Sequence, residues 1–177
     1  MEKIETKHLI LRKAVPEDLD AIYHNIWQDD LIAEFMYWKP TKSYEQAVDR
    51  LNRTIAYQKK NMAYFVCLKD TDEAIGFAGI RESEPGIFEE SGICVAAKYQ
   101  NRGYGKEILK ALMNKAFSDL GADRFIYACM SHNEKSRRVC TYFGFQYKYS
   151  REEVREWDSK KFLNDFYSLD REMWEKV

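Results

Sequence analysis

Apolar residues recur at helical spacing in some stretches of this chain and gather in short runs in others. Ile108, Leu112, Ala116 and Leu120 fall four apart, with Leu109, Met113 and Phe117 beside them. That spacing predicts a helix over 106–120 with one apolar face, and Gly121 follows as a natural C′ residue. Directly upstream, 93–97 is a short apolar run of strand character, and 100–105 is a turn containing two glycines. The three pieces form a strand, a glycine turn and a helix in tandem.

The same reading extends to both ends. Residues 8–14 read as the first strand. Pro16-Glu17-Asp18 opens a helix, with proline early and acids in its first turn; Leu19, Ile22, Tyr23 and Ile26 supply its apolar face. The run 31–40 is dense in aromatics and ends at Pro40. Ser43 is an N-cap candidate with Gln46 as its capping-box partner, and a helix to about Lys60 carries Ala47, Leu51 and Ile55 on one side. Residues 63–69 and 74–81 form a hairpin across Asp70-Thr71-Asp72-Glu73, and Pro85-Gly86 turns the chain into the strand before the glycine turn. After Gly121 come a strand at 125–130, a helix at 131–143 closed by Gly144, a strand that begins at 145–149 and a final strand at 162–169. The order βααβββαβαββ predicts an α/β fold, with one mixed central sheet of about 6–7 strands flanked by about four helices.

Composition narrows the function classes. A chain of 177 residues with 45% hydrophobic and 15% aromatic content suits a single domain over 1–177 with a real core. A net charge of −1 leaves no basic excess with which to hold nucleic acid. No run approaches a membrane span, and the polar start at Met1 has no apolar h-region, so a cytoplasmic protein without membrane partners is expected. Cys67, Cys94, Cys129 and Cys140 form no Cys-x-x-Cys pair and read as buried free thiols. His8, His24 and His132 lack metal spacing, so no metal is expected.

The glycine turn precedes the first amides of a helix, which lack intrahelical partners and carry partial positive charge. Glycines there leave room for a phosphate. A P-loop would place Ser or Thr after Lys106, but Glu107 stands there. A dinucleotide fingerprint would require glycine at Ile108. The pattern present is Gln-x-x-Gly-x-Gly, from Gln100 to Gly105.

This hexapeptide resembles the acetyl-CoA pyrophosphate loop of the GNAT N-acetyltransferases. A second landmark, Asn133-Glu-Lys-Ser136 leading through Cys140 to Gly144-Phe145, resembles that family's Asn-x-x-Ala/Ser helix, at the family's spacing. The ends narrow the likeness. Thr6 to Arg12 resembles the Thr-x-x-Leu-x-Leu-Arg opening of the Rim-type ribosomal-protein N-terminal acetyltransferases, and Glu172-Met173-Trp174 resembles their closing Glu-x-Trp. The resemblance covers essentially the whole chain.

The resemblance implies acetyl-CoA as co-substrate and direct attack by a primary amine in a ternary complex. It assigns the backbone of Ile93, Cys94 and Val95 to the pantetheine arm, and an amide at or beside Val95 to the thioester carbonyl. Gln100, Asn101, Arg102, Gly103, Tyr104, Gly105 and Lys106 go to the pyrophosphate, and Asn133 to the pantetheine. Asn133 also suits a helix N-cap. Many relatives place a proton-donating tyrosine seven residues after that asparagine, where this chain has Cys140. Ser136 matches the serine that the Rim-type group sets near the thiolate, so Ser136, with Cys140 second, is the candidate donor. Glu90, in a recurrent Glu-x-Gly with Gly92, and Glu156, in the late strand region, are candidate bases, with bulk water as the alternative. The aromatic stretches 35–38 and 157–166 are candidates to line an acceptor groove. The acceptor is a protein N-terminal α-amine or a small amine, and the rival class is a silent acyl-CoA-binding module. Monomer and homodimer both remain open.

Overall fold

The computed structural model describes residues 3–176. Eight strands and six α-helical segments are present among them: β1 (Lys3–Glu5), β2 (Leu9–Arg12), α1 (Leu19–Ile22), α2 (Asp30–Ala33), α3 (Tyr44–Gln58), β3 (Ala63–Leu68), β4 (Ala74–Glu84), β5 (Ile87–Val95), α4 (Tyr104–Asn114), β6 (Arg124–Met130), α5 (Glu134–Tyr142), β7 (Gln146–Arg155), β8 (Lys160–Asp170) and α6 (Arg171–Trp174). The α/β class is as expected, with more strands than the 6–7 predicted. The chain divides into two compact units. The first holds the residues up to Gly79 and Ser91–Ile108; the second holds Ile80–Glu90 and the residues from Leu109 onward.

In the first unit the strands neighbour one another in the order β1-β2-β3-β4-β5. β1 was not predicted; Lys-Ile-Glu is too short and polar to show a pattern, yet it pairs antiparallel with β2, Lys3 opposite Arg12. β2 and β3 pair antiparallel, as do β3 and β4 across the expected hairpin. The helical stretch after β2 starts with a tight turn at Pro16–Asp18 and widens at Tyr23–Trp27. Asp18 is buried, and its carboxylate receives Arg12 Nη2 at 2.8 Å and the Val15 amide at 2.9 Å. One buried carboxylate thus ties the end of β2 to the start of the helix. Ile22, Ile26 and Trp27 pack with Leu51 of α3, Phe65 and Cys67 of β3, and Cys94 of β5. Ser43 caps α3 by accepting from the Gln46 amide at 3.2 Å. The Gln46 side chain reaches the Lys42 amide at 3.3 Å, one residue short of a reciprocal capping box.

In the second unit the order is β5-β6-β8-β7. β5 and β6 are parallel, Ile87 opposite Arg124, while β8 lies antiparallel between β6 and β7. Phe125 of β6 meets Phe145 edge-on at 6.0 Å, and Phe117 stacks on Trp174 at 5.5 Å. β7 begins within the expected 145–149 stretch and runs on to Arg155. Its residues are nearly all exposed, so no apolar alternation marks it, and pairing with β8 alone defines it. The helix begun as α4 continues to Asp119 as a wider turn, with Leu120 N donating to Lys115 O at 3.1 Å. That widening rotates the last residues off the apolar face. Leu120, predicted to face inward, is 40% exposed.

Candidate active site

In the first unit Gly92 of β5 has a φ of +122°, where side chains rarely go. A Cβ there would stand 3.0 Å from the Phe77 ring. This irregularity falls immediately before Ile93, Cys94 and Val95, the stretch expected to meet the cofactor. On β4, a Cβ at Gly76 would stand 2.0 Å from the Cys94 carbonyl oxygen, so Gly76 is what lets the two strands approach here.

The glycine turn leaves β5 in an orderly way. Gln100 donates from Nε2 to Val95 O at 3.0 Å, closing the strand end against the turn. Asn101 and Gly103 take positive φ, +61° and +83°. A Cβ at Gly103 would meet nothing within 4 Å, so the loop is open at that point. α4 starts at Tyr104, two residues before the predicted start at Lys106, because the Gly103 carbonyl already accepts from the Lys106 and Glu107 amides, each at 3.1 Å. Arg102 and Lys106 are exposed, and Arg102 lies 5.3 Å from the Tyr99 ring. An open glycine, helix amides without intrahelical partners and two exposed cations are chemistry suited to a pyrophosphate.

Two carboxylates brace this loop, and neither stood out in the sequence. Glu107 accepts from Thr6 Oγ1 at 2.5 Å, the His8 amide at 2.7 Å and His8 Nδ1 at 2.8 Å. Burial pushes its carboxyl up, but the bonds from Thr6 and His8 outweigh that and hold it below the ordinary value. Glu73 accepts from Asn25 Nδ2 at 2.9 Å, the Tyr99 hydroxyl at 2.8 Å and Lys98 Nζ at 3.0 Å, fixing the turn between β5 and Gln100.

In the second unit Asn133 is the N-cap of α5, its side chain accepting from the Ser136 amide at 3.1 Å. Ser136 Oγ lies 2.7 Å from the hydroxyl of Tyr127 on β6. Burial, then the charge of Glu90, pushes the Tyr127 phenol well above its usual range. Glu90 and Ser136 therefore meet electrically at Tyr127, a residue the sequence reading did not single out. Cys140 is fully buried one turn beyond Ser136, with Sγ donating to Arg137 O at 3.2 Å. Burial pushes its thiol up to about 12. Glu156 is not in a strand. It is exposed in the turn between β7 and β8, beyond the end of β8's pairing with β6 at Met130 and Asn164. The other unforeseen group is Asp165, a buried carboxylate that accepts from Ser131 Oγ at 2.5 Å and Ser150 Oγ at 2.6 Å. Among the described residues no cluster of three or more His, Cys, Asp or Glu forms a metal site.

Comparison with known proteins defines the class as an acetyltransferase. The acetyltransferase (GNAT) domain model matches residues 8–146, most of the chain. The chain belongs to the GNAT acetyltransferase family. It is 27% identical over 146 residues to the uncharacterized N-acetyltransferase YoaA of Bacillus subtilis (strain 168), spanning 81% of this chain and 82% of that one. A GNAT-family acetyltransferase of Bacillus anthracis superposes with a TM-score of 0.82 at 19% identity, over 97% of this chain and 99% of that one. RimL, a ribosomal α-N-protein acetyltransferase solved with coenzyme A, superposes with a TM-score of 0.78 at 19% identity, over 96% of this chain and 98% of its own. Membership in the family implies acetyl-CoA as the donor.

Proposed function

We propose that this enzyme, acting as a single cytoplasmic domain over 1–177, acetylates the α-amine of a protein or peptide N-terminus in the manner of the Rim-type group. The observation that carries the cofactor half is the open Gly103 at the head of α4. The amides around it and the side chains of Arg102 and Lys106 bind the pyrophosphate. The backbone of Ile93 to Val95 lies along the pantetheine arm, and Asn133 donates to it through Nδ2, since its Oδ1 is already taken by the Ser136 amide.

In the transfer the amine nitrogen bonds to the acetyl carbon as the carbon–sulfur bond breaks. One proton leaves the amine and one reaches the departing thiolate, giving an N-acetyl product and the free thiol. Ser136 Oγ–H is the donor toward sulfur. Glu90 takes the amine proton through water. Glu156, exposed in its turn, is the weaker base candidate. Cys140 is the weaker donor, because its thiol is a poor hydrogen-bond donor already directed at a carbonyl.

A small amine is the second reading, favoured by a cavity of about 720 Å³ in the first unit, a volume within the usual range of small-molecule sites. Thiol release from acetyl-CoA over matched panels of peptides and small amines separates the two. Turnover confined to peptides supports the first reading, and turnover confined to small amines supports the second. Acetyl-CoA binding without thiol release on any amine would leave only a binding module.

A further inference from the structure

The cavity in the first unit is lined by Trp27, Trp38, Arg50, Arg53 and Tyr64, and reaches β5 at Ser91. None of the residues assigned to acetyl-CoA lines it. Its most unusual member is Arg50. The guanidinium lies 4.7 Å from the Trp27 ring and 4.3 Å from the Trp38 ring, and Nη1 donates to Thr41 Oγ1 at 3.0 Å. Thr41 is itself buried, with its amide bound to Trp27 O at 2.7 Å. The cation is therefore held in place by two indoles and a fixed hydroxyl.

What it lacks is a counter-charge. Burial, then the neighbouring Arg53, brings Arg50 down to about 10, with Cys94 opposing, and no carboxylate among the described residues acts on it. Arg50 is half-buried, and a guanidinium drawn part-way out of water gains from a nearby counter-charge. The indole N–H of Trp38 is also buried with no hydrogen-bond acceptor among the described residues. The buried Trp38 N–H, which lacks an acceptor, and the Arg50 guanidinium, 4.3 Å from the same indole, thus belong to two residues lining one cavity that carries a positive charge at neutral pH. A carboxylate satisfies both, through charge-assisted bonds to the planar guanidinium.

The other end of the cavity supplies the direction. Ser91 lies one residue before Gly92 and two before the start of the Ile93 to Val95 stretch assigned to the cofactor. We propose that the acceptor carries a carboxylate close to its reacting amine, with the carboxylate on Arg50 and the Trp38 N–H and the amine toward Ser91. This rests on the reading that Ile93 to Val95 hold the acetyl thioester. Two sources share this chemistry, a free amino acid and a peptide with an acidic side chain next to its N-terminus.

The test uses pairs that differ only in charge, in two arms: amino acids against their carboxamides, and N-terminal peptides with Asp against Asn at the second position. In the unmodified enzyme, kcat/KM for the carboxylate member exceeds that of its neutral twin by about tenfold or more in one arm, the effect expected of a hydrogen-bonded charge. Arg50→Gln brings that ratio close to one by raising KM for the carboxylate member alone, and Arg50→Lys restores part of it. Acetyl-CoA thermal shift is unchanged in both variants. Ratios at or below one in both arms overturn the proposal, as does a ratio that survives Arg50→Gln. Should the Arg50 variants fail to fold, the ratio in the unmodified enzyme decides alone, with Trp38→Phe as the second variant. If no amine releases thiol although acetyl-CoA binds, the transfer reading fails separately. Calorimetric binding of the same pairs in the presence of coenzyme A still reads the preference: tighter binding of the carboxylate members supports the anion site, and equal binding overturns it.

Discussion

The hydroxyls of Tyr127 and Ser136 are 2.7 Å apart, one on β6 and the other in the first turn of α5. The phenol keeps its proton far above ordinary pH, because burial, and then the Glu90 charge, disfavours the phenolate. The neutral phenol can donate to Ser136 Oγ or accept from it, and in the first arrangement the serine's own O–H is left for a third group. Hydrogen bonds in such a chain reinforce one another in a low-dielectric setting.

If Ser136 donates to the departing thiolate, the two hydroxyls act as one unit. Ser136→Ala is expected to lower kcat by about 10- to 100-fold, the usual contribution of one positioned donor. Tyr127→Phe is expected to lower it by about 3- to 10-fold, and the double variant to match Ser136→Ala rather than the product of the singles. A double-mutant cycle on kcat, with acetyl-CoA affinity measured alongside, checks this; independent effects of the two changes would remove Tyr127 from the relay.

Gly103→Glu probes the pyrophosphate loop. Space is open around the position, so the side chain meets no steric obstacle there. The φ of +83° adds a backbone cost of about 1–2 kcal/mol that Gly103→Ala shares. The added carboxylate, not the strain, is expected to weaken acetyl-CoA binding by about 10-fold or more relative to Gly103→Ala, as read by calorimetry on both variants. Equal affinities for the two would detach this loop from the cofactor.

Glu107 makes stability depend on pH. Its folded carboxyl titrates below its ordinary value of 4.5, so the folded state favours the charged form. The resulting stabilisation is fully present above pH 4.5 and is lost as pH falls through the lower folded value. Glu107→Gln is expected to destabilise by about 1–3 kcal/mol at pH 7, the range for a hydrogen-bonded charge. The gap in Tm between the two proteins should close on acidification below the carboxyl range; a pH-independent gap would mean the bonds to Thr6 and His8 carry no net charge effect.

Much of this architecture was legible because apolar periodicity and turn residues agree along the chain. The helix face of Ile108 to Phe117, the β3–β4 hairpin and both family landmarks announce themselves through local pattern. β1 and the outer half of β7 do not, since an exposed edge strand is specified by its partner and not by its own alternation. The same limit hid the chemistry. Tyr127, Asp165 and Arg50 read in sequence as a strand aromatic, a strand-end acid and a helix charge. Only long-range packing sets Tyr127 against Ser136, brings two serines to Asp165 and places Arg50 over two indoles. Glu107 looked like a defect in a P-loop, whereas it fastens the start of α4 to the β1–β2 turn.

Cys140 occupies the position where many relatives carry a tyrosine, and its environment argues for a packing role. The thiol is fully buried, donates to Arg137 O at 3.2 Å, and is pushed up to about 12 by burial. At pH 8 such a group is thiolate only about one part in ten thousand, so alkylating reagents find almost no nucleophile. A weak S–H donor already spent on a carbonyl also offers a thiolate little stabilisation. Cys140→Ala is therefore expected to cost about 1–2 kcal/mol through the small void it leaves, while kcat stays within about threefold of the parent. Iodoacetamide at pH 8 should leave Cys140 unlabelled in the folded protein and label it after denaturation, as read by mass spectrometry. A fall in kcat as large as that of Ser136→Ala, with Tm nearly unchanged, would transfer the donor role from the serine to the thiol.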